Sequence, residues 1–93
     1  DFSTYDVYLS VVGGMKIQEH AADLAVCMAL VSSMKDKPLK KGTLAFGECG
    51  LSGEVRGVIR TESRVREAKK LGFSNIISPD NVKSITEAIK LGF

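Results

Sequence analysis

Cys27, Cys49 and His20 are the side chains here best suited to metal binding or nucleophilic attack. Their arrangement argues against both. There is no C-x-x-C pair, and a lone histidine completes no usual zinc set with two separated cysteines. Cys27 falls mid-helix between Val26 and Met28, which reads as a buried free thiol in a reducing cytosol. Gly13-Gly14 could let backbone approach a phosphate. Neither GxxxxGK[ST] nor GxGxxG surrounds the pair, so it reads as a bulge or bend. The stretch EHAADLAVCMALVSS, residues 19–33, is of more interest. Its small and acidic residues open a helix, a position where a catalytic site could sit.

The elements that would hold such a site follow from pattern. Tyr5, Val7, Leu9 and Val11 alternate with Asp6, Tyr8, Ser10 and Val12, so a strand enters the Gly-Gly bend. Ala21, Leu24, Ala25, Met28, Val31 and Ser32 recur at helical spacing, and Val26, Cys27, Leu30 and Met34 add apolar surface on the other sides. Such a helix is expected to be covered on most faces. Glu19 and Asp23 suit its amino end, and Asp36 and Pro38 stop it. Lys35, Lys37, Lys40 and Lys41 make a basic surface loop. Thr43–Phe46 and Val55–Val58 read as a strand pair punctuated by Gly47, Gly50 and Gly53. Thr61 caps an amphipathic helix with Val65, Ala68 and Leu71 inward, Arg64, Arg66, Glu67, Lys69 and Lys70 outward, and Gly72 at its end. NIISP is a short buried strand. Ser84 and Glu87 form a capping box for a last helix with Ile85, Ala88 and Ile89 inward. KLGF at 90–93 is expected to repeat the terminator at 70–73. Strand, helix, strand pair, helix, strand, helix predicts an α/β chain of α+β-like two-layer form, a mixed sheet packed with helices.

Ninety-three residues suit one domain with one core. A net charge of +2 permits nucleic-acid contact without arguing for it. A hydrophobic share of 44% beside 26% charged residues is that of an ordinary globular chain, with no signal peptide and no membrane-length apolar run. The expected location is cytoplasmic, away from membranes. A first residue other than methionine suggests a piece of something longer.

Four pieces occur together and in order: DVY-x₃-VVGG, AADLA, FGE-x-GL-x-GE-x-R and EA-x-KLGF. In that combination the chain resembles, over nearly its whole length, the carboxy-terminal Lon-protease-like domain of the bacterial RadA (Sms) DNA repair family. The resemblance implies the Lon proteolytic-domain fold across residues 1–93. It also implies a longer parent with a zinc-binding cysteine cluster, a RecA-like ATPase core and a KNRFG motif, none of which occurs in this sequence. ATP, Mg and Zn would belong to those parts, and no cofactor is expected in this chain. The parent would be a DNA-dependent ATPase, associated with a recombinase, that acts as a hexameric ring on DNA. Its work would be ATP-dependent branch migration in homologous recombination. The family normally has a loop and a short strand where Asn81 meets Val82 here, so either the protein is shortened or residues are missing between them.

Lon enzymes attack with a serine at the start of the first helix, activated by a lysine. The resemblance places Ala21 at the serine position and Glu62 at the lysine position. Ala21 has no oxygen to attack a carbonyl, and a carboxylate cannot replace a desolvated amine as base. Ser32 and Ser33 stand several turns down the helix. Ser10 with Lys16, and Ser52 or Ser63 with surface cations, make no better pair. The domain is therefore expected to be a non-proteolytic member that supports ring assembly and contacts double-stranded DNA. Salt-dependent phosphate contacts would fall to Lys16, Arg56, Arg60 and Arg64, with Lys40 and Lys41 as second choices. The alternatives are a pure oligomerisation scaffold and an active Ser-Lys peptidase. Phe2, Tyr5 and Phe93 would serve either as ring contacts or as core.

Overall fold

The computed structural model describes residues 20–93. The expected strand at Tyr5–Val12, the Gly13-Gly14 bend, Phe2, Lys16 and Glu19 lie outside the described residues. A 3₁₀ turn, His20–Ala22, leads into α1, Asp23–Lys35. Then follow β1 (Thr43–Ala45), β2 (Glu48–Cys49), β3 (Val55–Arg56), α2 (Thr61–Lys70), β4 (Asn75–Ile77) and α3 (Ile85–Gly92). This is a mixed α/β arrangement, as the patterning predicts.

The pairing differs from the expected one. Thr43–Ala45 does not pair with the Val55 strand. It runs parallel to β4, with Leu44 opposite Ile76. The antiparallel partner of β3 is β2, which pairs Glu48 with Arg56. Two short apolar runs separated by glycines suggest a hairpin, yet the chain breaks its first run at Gly47 and divides it between two sheets. Asn75 joins the layers: its Nδ2 donates to Thr43 Oγ1 and to the Leu91 carbonyl, both at 2.9 Å. The β2–β3 hairpin docks on the start of α3 through Val55 N–H to Lys83 O and Ile85 N–H to Gly53 O.

The core lies where α1 and α3 meet the sheets. Leu24, Cys27, Met28 and Val31 of α1 pack with Cys49, Val55, Ile77, Val82, Ile85 and Ala88. Full burial of such side chains stabilises by about 1.5–3 kcal/mol each. Phe93 is half-buried against this cluster. Not every apolar side of α1 is covered, however. Ala25 and Ala29 are exposed and Met34 is 47% exposed, so the expectation of cover on most faces fails among the described residues. Asp36 ends the helix in the left-handed region at φ 50°, and Ser32 Oγ donates to the Lys37 carbonyl at 2.7 Å.

Three further expectations change. Thr61 is the first residue of α2 rather than its cap. Its hydroxyl bonds back to Val58 O, and Arg60, at φ 60°, holds the cap position without a side-chain bond. Leu71 is 68% exposed rather than inward, because the helix stops there and the chain turns away to β4. The two KLGF stretches also differ. Gly72 terminates α2 at φ +95°, with Phe73 N–H reaching Ala68 O. Gly92 is buried inside α3, against Met28, Leu39 and Ile77. Ser84 caps α3 as expected, accepting the Glu87 N–H, while the Glu87 carboxylate takes the Lys83 N–H one residue earlier than a reciprocal box would. From Asn81 to Val82 the chain runs through a turn in which both N–H groups reach Ser78 O.

Candidate functional site

The start of α1 is clamped to one residue. Gly47 N–H donates to Ala21 O at 2.8 Å, and Leu24 N–H donates to Gly47 O at 3.0 Å. This places Ala21, 4% exposed, beside the end of β1. The next residue after the turn is the buried Asp23, whose Oδ2 accepts the Cys49 N–H at 3.1 Å. The Nδ1 of the exposed His20 stands 3.9 Å from the same oxygen. The sequence marks Asp23 only as a charge suited to a helix dipole. Its bond to Cys49 is invisible there, because the partner is a backbone group 26 residues away.

A groove of about 420 Å³ opens at this point, lined by Ala22, Ala25, Leu44, Phe46, Ala68 and Leu71, with Ala21 on its wall. Its surface is mainly apolar, with Arg64 and Glu67 as the charged side chains that line it. Arg64 closes one end: its guanidinium lies 5.9 Å from the Phe46 ring centroid, and its Nε donates to Ile59 O at 3.1 Å. Glu62 sits exposed in the first turn of α2, where a carboxylate favours the helix dipole. The methyl of Ala21 and an exposed carboxylate at Glu62 offer no nucleophile and no desolvated amine.

Both cysteines are buried. Burial pushes Cys27 up to about 11. Burial, with Cys27 and Asp23 among the nearby groups, pushes Cys49 up to about 12. Thiols held protonated in this way are poor nucleophiles. Among the described residues, no three His, Cys, Asp or Glu side chains are grouped to hold a metal ion. No described helix is long and apolar enough to cross a membrane.

The cations singled out in the sequence are not gathered into one patch. Lys40 and Lys41 are exposed in the loop before β1, at the far end of that strand from Phe46. Arg60 and Arg64 lie one helical turn apart at the start of α2, with Arg64 beside Phe46. Arg56 is on the hairpin and already engaged: its Nη2 meets Glu54 Oε2 at 2.7 Å and its Nη1 meets Glu48 Oε1 at 3.5 Å. The hydrogen bond from Arg56 holds the Glu54 carboxyl below its ordinary range, and the same bond raises Arg56. Arg66, Lys69 and Lys70 are also exposed on α2. Helical periodicity alone marks them as outward-facing, so the signal for a second basic face was present in the sequence.

The family model described as subunit ChlI of Mg-chelatase matches residues 9–82, most of the chain. This chain belongs to the ChlI family. Its curated relatives include proteins named DNA repair protein RadA. The one from Rickettsia bellii is 51% identical over 83% of this chain. That from Aquifex aeolicus is 49% identical over 84%, and that from Listeria monocytogenes 50% identical over 82%. The ChlI-family chain described here spans 17–18% of the length of those relatives.

Proposed function

We propose that this chain is a Lon-protease-like, non-proteolytic carboxy-terminal domain of a RadA-type DNA repair protein. In this reading it supports a homo-oligomeric ring, a hexamer by family resemblance, and contacts double-stranded DNA during ATP-dependent branch migration in homologous recombination. ATP, Mg and Zn would be held elsewhere in the longer protein, as would recombinase association. The reading takes the molecule to be cytoplasmic.

The observation that carries it is Ala21. It is buried at the start of α1, where the family resemblance puts the nucleophile, and it lines a mainly apolar groove whose charged members among the described residues are Arg64 and Glu67 rather than a lysine. A protease helix has been kept here without its chemistry. The half-identical relatives support the DNA repair assignment. The exposed cations at Lys40, Lys41 and Arg60 support phosphate contact, and a ring would multiply weak contacts of this kind. Lys16 belongs to the same proposal.

The test is binding of the chain to labelled double-stranded DNA across a salt series, with oligomeric state recorded, beside a casein and fluorescent-peptide cleavage assay. Binding that falls steeply with salt, together with absence of cleavage, agrees with the proposal. Turnover by the wild type overturns the loss of protease chemistry. An assembled ring that ignores DNA leaves a scaffold, a reading consistent with the carboxylates of Glu48 and Glu54 paired with Arg56.

A further inference from the structure

Among the described residues the β1–β4 sheet is parallel and two-stranded, so β4 has an outer edge besides the one it gives to β1. The ladder tells the two edges apart. Asn75 N–H donates to Gly42 O, and Ile77 O accepts the Phe46 N–H, so residues 75 and 77 address β1. The Ile76 carbonyl and the Ser78 N–H therefore point the other way. Outward backbone groups on a strand edge are a template for pairing with another chain. Here one side chain takes both of them. Asn81 Oδ1 accepts the Ser78 N–H, and Asn81 Nδ2 donates to the Ile76 carbonyl, each at 2.8 Å. A residue of a neighbouring parallel strand, placed opposite Ile77, would make the same pair of bonds. The carboxamide stands in for one residue of a third strand.

We infer that Asn81 is an edge guard: its carboxamide keeps the outer edge of β4 from pairing with the same edge of a second copy. The turn that delivers Asn81 is itself fixed. Ser78 O accepts the N–H groups of Asn81 and Val82 at 3.0 and 3.1 Å, and Ser78 Oγ accepts the Asp80 N–H at 3.2 Å. Ser78 is 2% exposed, so the turn is anchored in the core. Pro79 follows with no N–H to prolong the edge. Space is not what closes this edge. A pocket of about 340 Å³ lies beside it, with Ile76 and Ser74 on its wall. Lys69 and Asp80 line the same pocket, and charge beside an edge opposes an incoming strand. A second copy is the partner excluded because two identical edges can meet about a two-fold axis, each offering the other the same backbone groups. The inference is independent of the DNA role and of the groove beside Ala21.

NMR and sedimentation of the 93-residue chain over a concentration series test it. In the wild type the Asn81 side-chain amide should show scalar coupling across its hydrogen bond to the Ile76 carbonyl. The Ser78 amide should exchange about 100-fold or more slowly than an unstructured amide. Asn81→Ala should lose that protection when dilute and regain it as concentration rises, while its sedimenting mass climbs above that of the wild type at equal concentration. Asn81→Lys also loses the two bonds but leaves a charge at the edge, so it should keep the wild-type oligomeric state. Asn81→Ala that stays at the wild-type oligomeric state overturns the inference. Equal association by Asn81→Lys overturns it too, since the cause would then be general loss of structure. If Asn81→Ala does not fold, the wild-type spectra decide: a freely rotating Asn81 amide beside a fast-exchanging Ser78 overturns the guard, and the coupling with slow exchange supports it.

Discussion

The Asp23 carboxylate and the Cys49 backbone N–H meet at 3.1 Å inside the protein, fixing the start of α1 to the β2–β3 hairpin. Asp23 is 3% exposed, so removal of its acceptor strands a buried donor. Asp23→Ala should cost about 1.5–3 kcal/mol, the range for a hydrogen bond to a charged group. Asp23→Asn keeps an oxygen in reach and should cost less. Urea unfolding of both variants measures the difference. Equal losses would mean that packing volume, rather than the hydrogen bond, holds the helix start.

Gly92 and Gly72 stand in the same KLGF context and should respond differently to alanine. At Gly92 a new Cβ would collide with Met28 Cε and lie 2.9 Å from Leu39 Cδ2. Overpacking costs about 1–3 kcal/mol, against about 1 kcal/mol gained from helix propensity. Met28→Leu, which removes the colliding methyl, should recover part of the loss. At Gly72 nothing crowds a Cβ, but φ is +95°. Gly72→Ala should cost about 1–2 kcal/mol from backbone strain, and Met28→Leu should not rescue it. Thermal unfolding of the four variants checks the contrast.

The thiols supply a measurement of local opening. With Cys27 held near 11 and Cys49 near 12, both are protonated at pH 8. Each should react with iodoacetamide about 100-fold or more slowly than a free cysteine, and at the rate at which the core opens. The associated stability is fully present below the ordinary thiol value of 9.0 and is lost as pH rises from there through the folded values. Stability should therefore fall on the alkaline side, and Cys27→Ala with Cys49→Ala should remove that slope.

Glu54 is the carboxylate whose titration reports the hairpin. Its hydrogen bond from Arg56 lowers it from the ordinary 4.5. Its contribution is therefore present above that value and lost as pH falls through the depressed one. Both side chains are solvent-exposed, so the effect on stability is small and salt-sensitive. The side-chain carbon resonance of Glu54 should titrate below 4.5 and move back up in Arg56→Ala. No movement would mean that the ion pair does not persist in solution.

Local signals survived into the structure, and pairings between distant segments did not. The Gly72 terminator, the Ser84 cap and the helical period of α1 rest on residues within a turn or two of each other, so the sequence displays them. Strand partners were misassigned because Thr43–Ala45 and Asn75–Ile77 carry no mark of each other. Their register is fixed by Asn75 and by the layers above them. Gly92 misled because the same letters serve a terminator at one place and a close helix contact at another. The proposed absence of protease chemistry rests on the resemblance alone: without the family pattern, Ala21 is one alanine among several. The groove was not legible at all, since it is built from α1, β1 and α2 together.

The six cations proposed for DNA should not contribute equally. Arg56 is the weakest of the described five, because Glu48 and Glu54 already balance it and phosphate would have to displace them. Arg64 is held by Ile59 O and Phe46, which limits its reach. Lys40, Lys41 and Arg60 are exposed, and none of them is in an ion pair among the described residues. Each lysine or arginine that meets a phosphate contributes about 0.9 to the slope of log affinity against log salt. Lys40→Ala with Lys41→Ala should therefore lower that slope by about 2, and Arg56→Ala should leave it nearly unchanged. The reverse ranking would show that the hairpin, released from its own carboxylates on binding, is the surface that meets DNA.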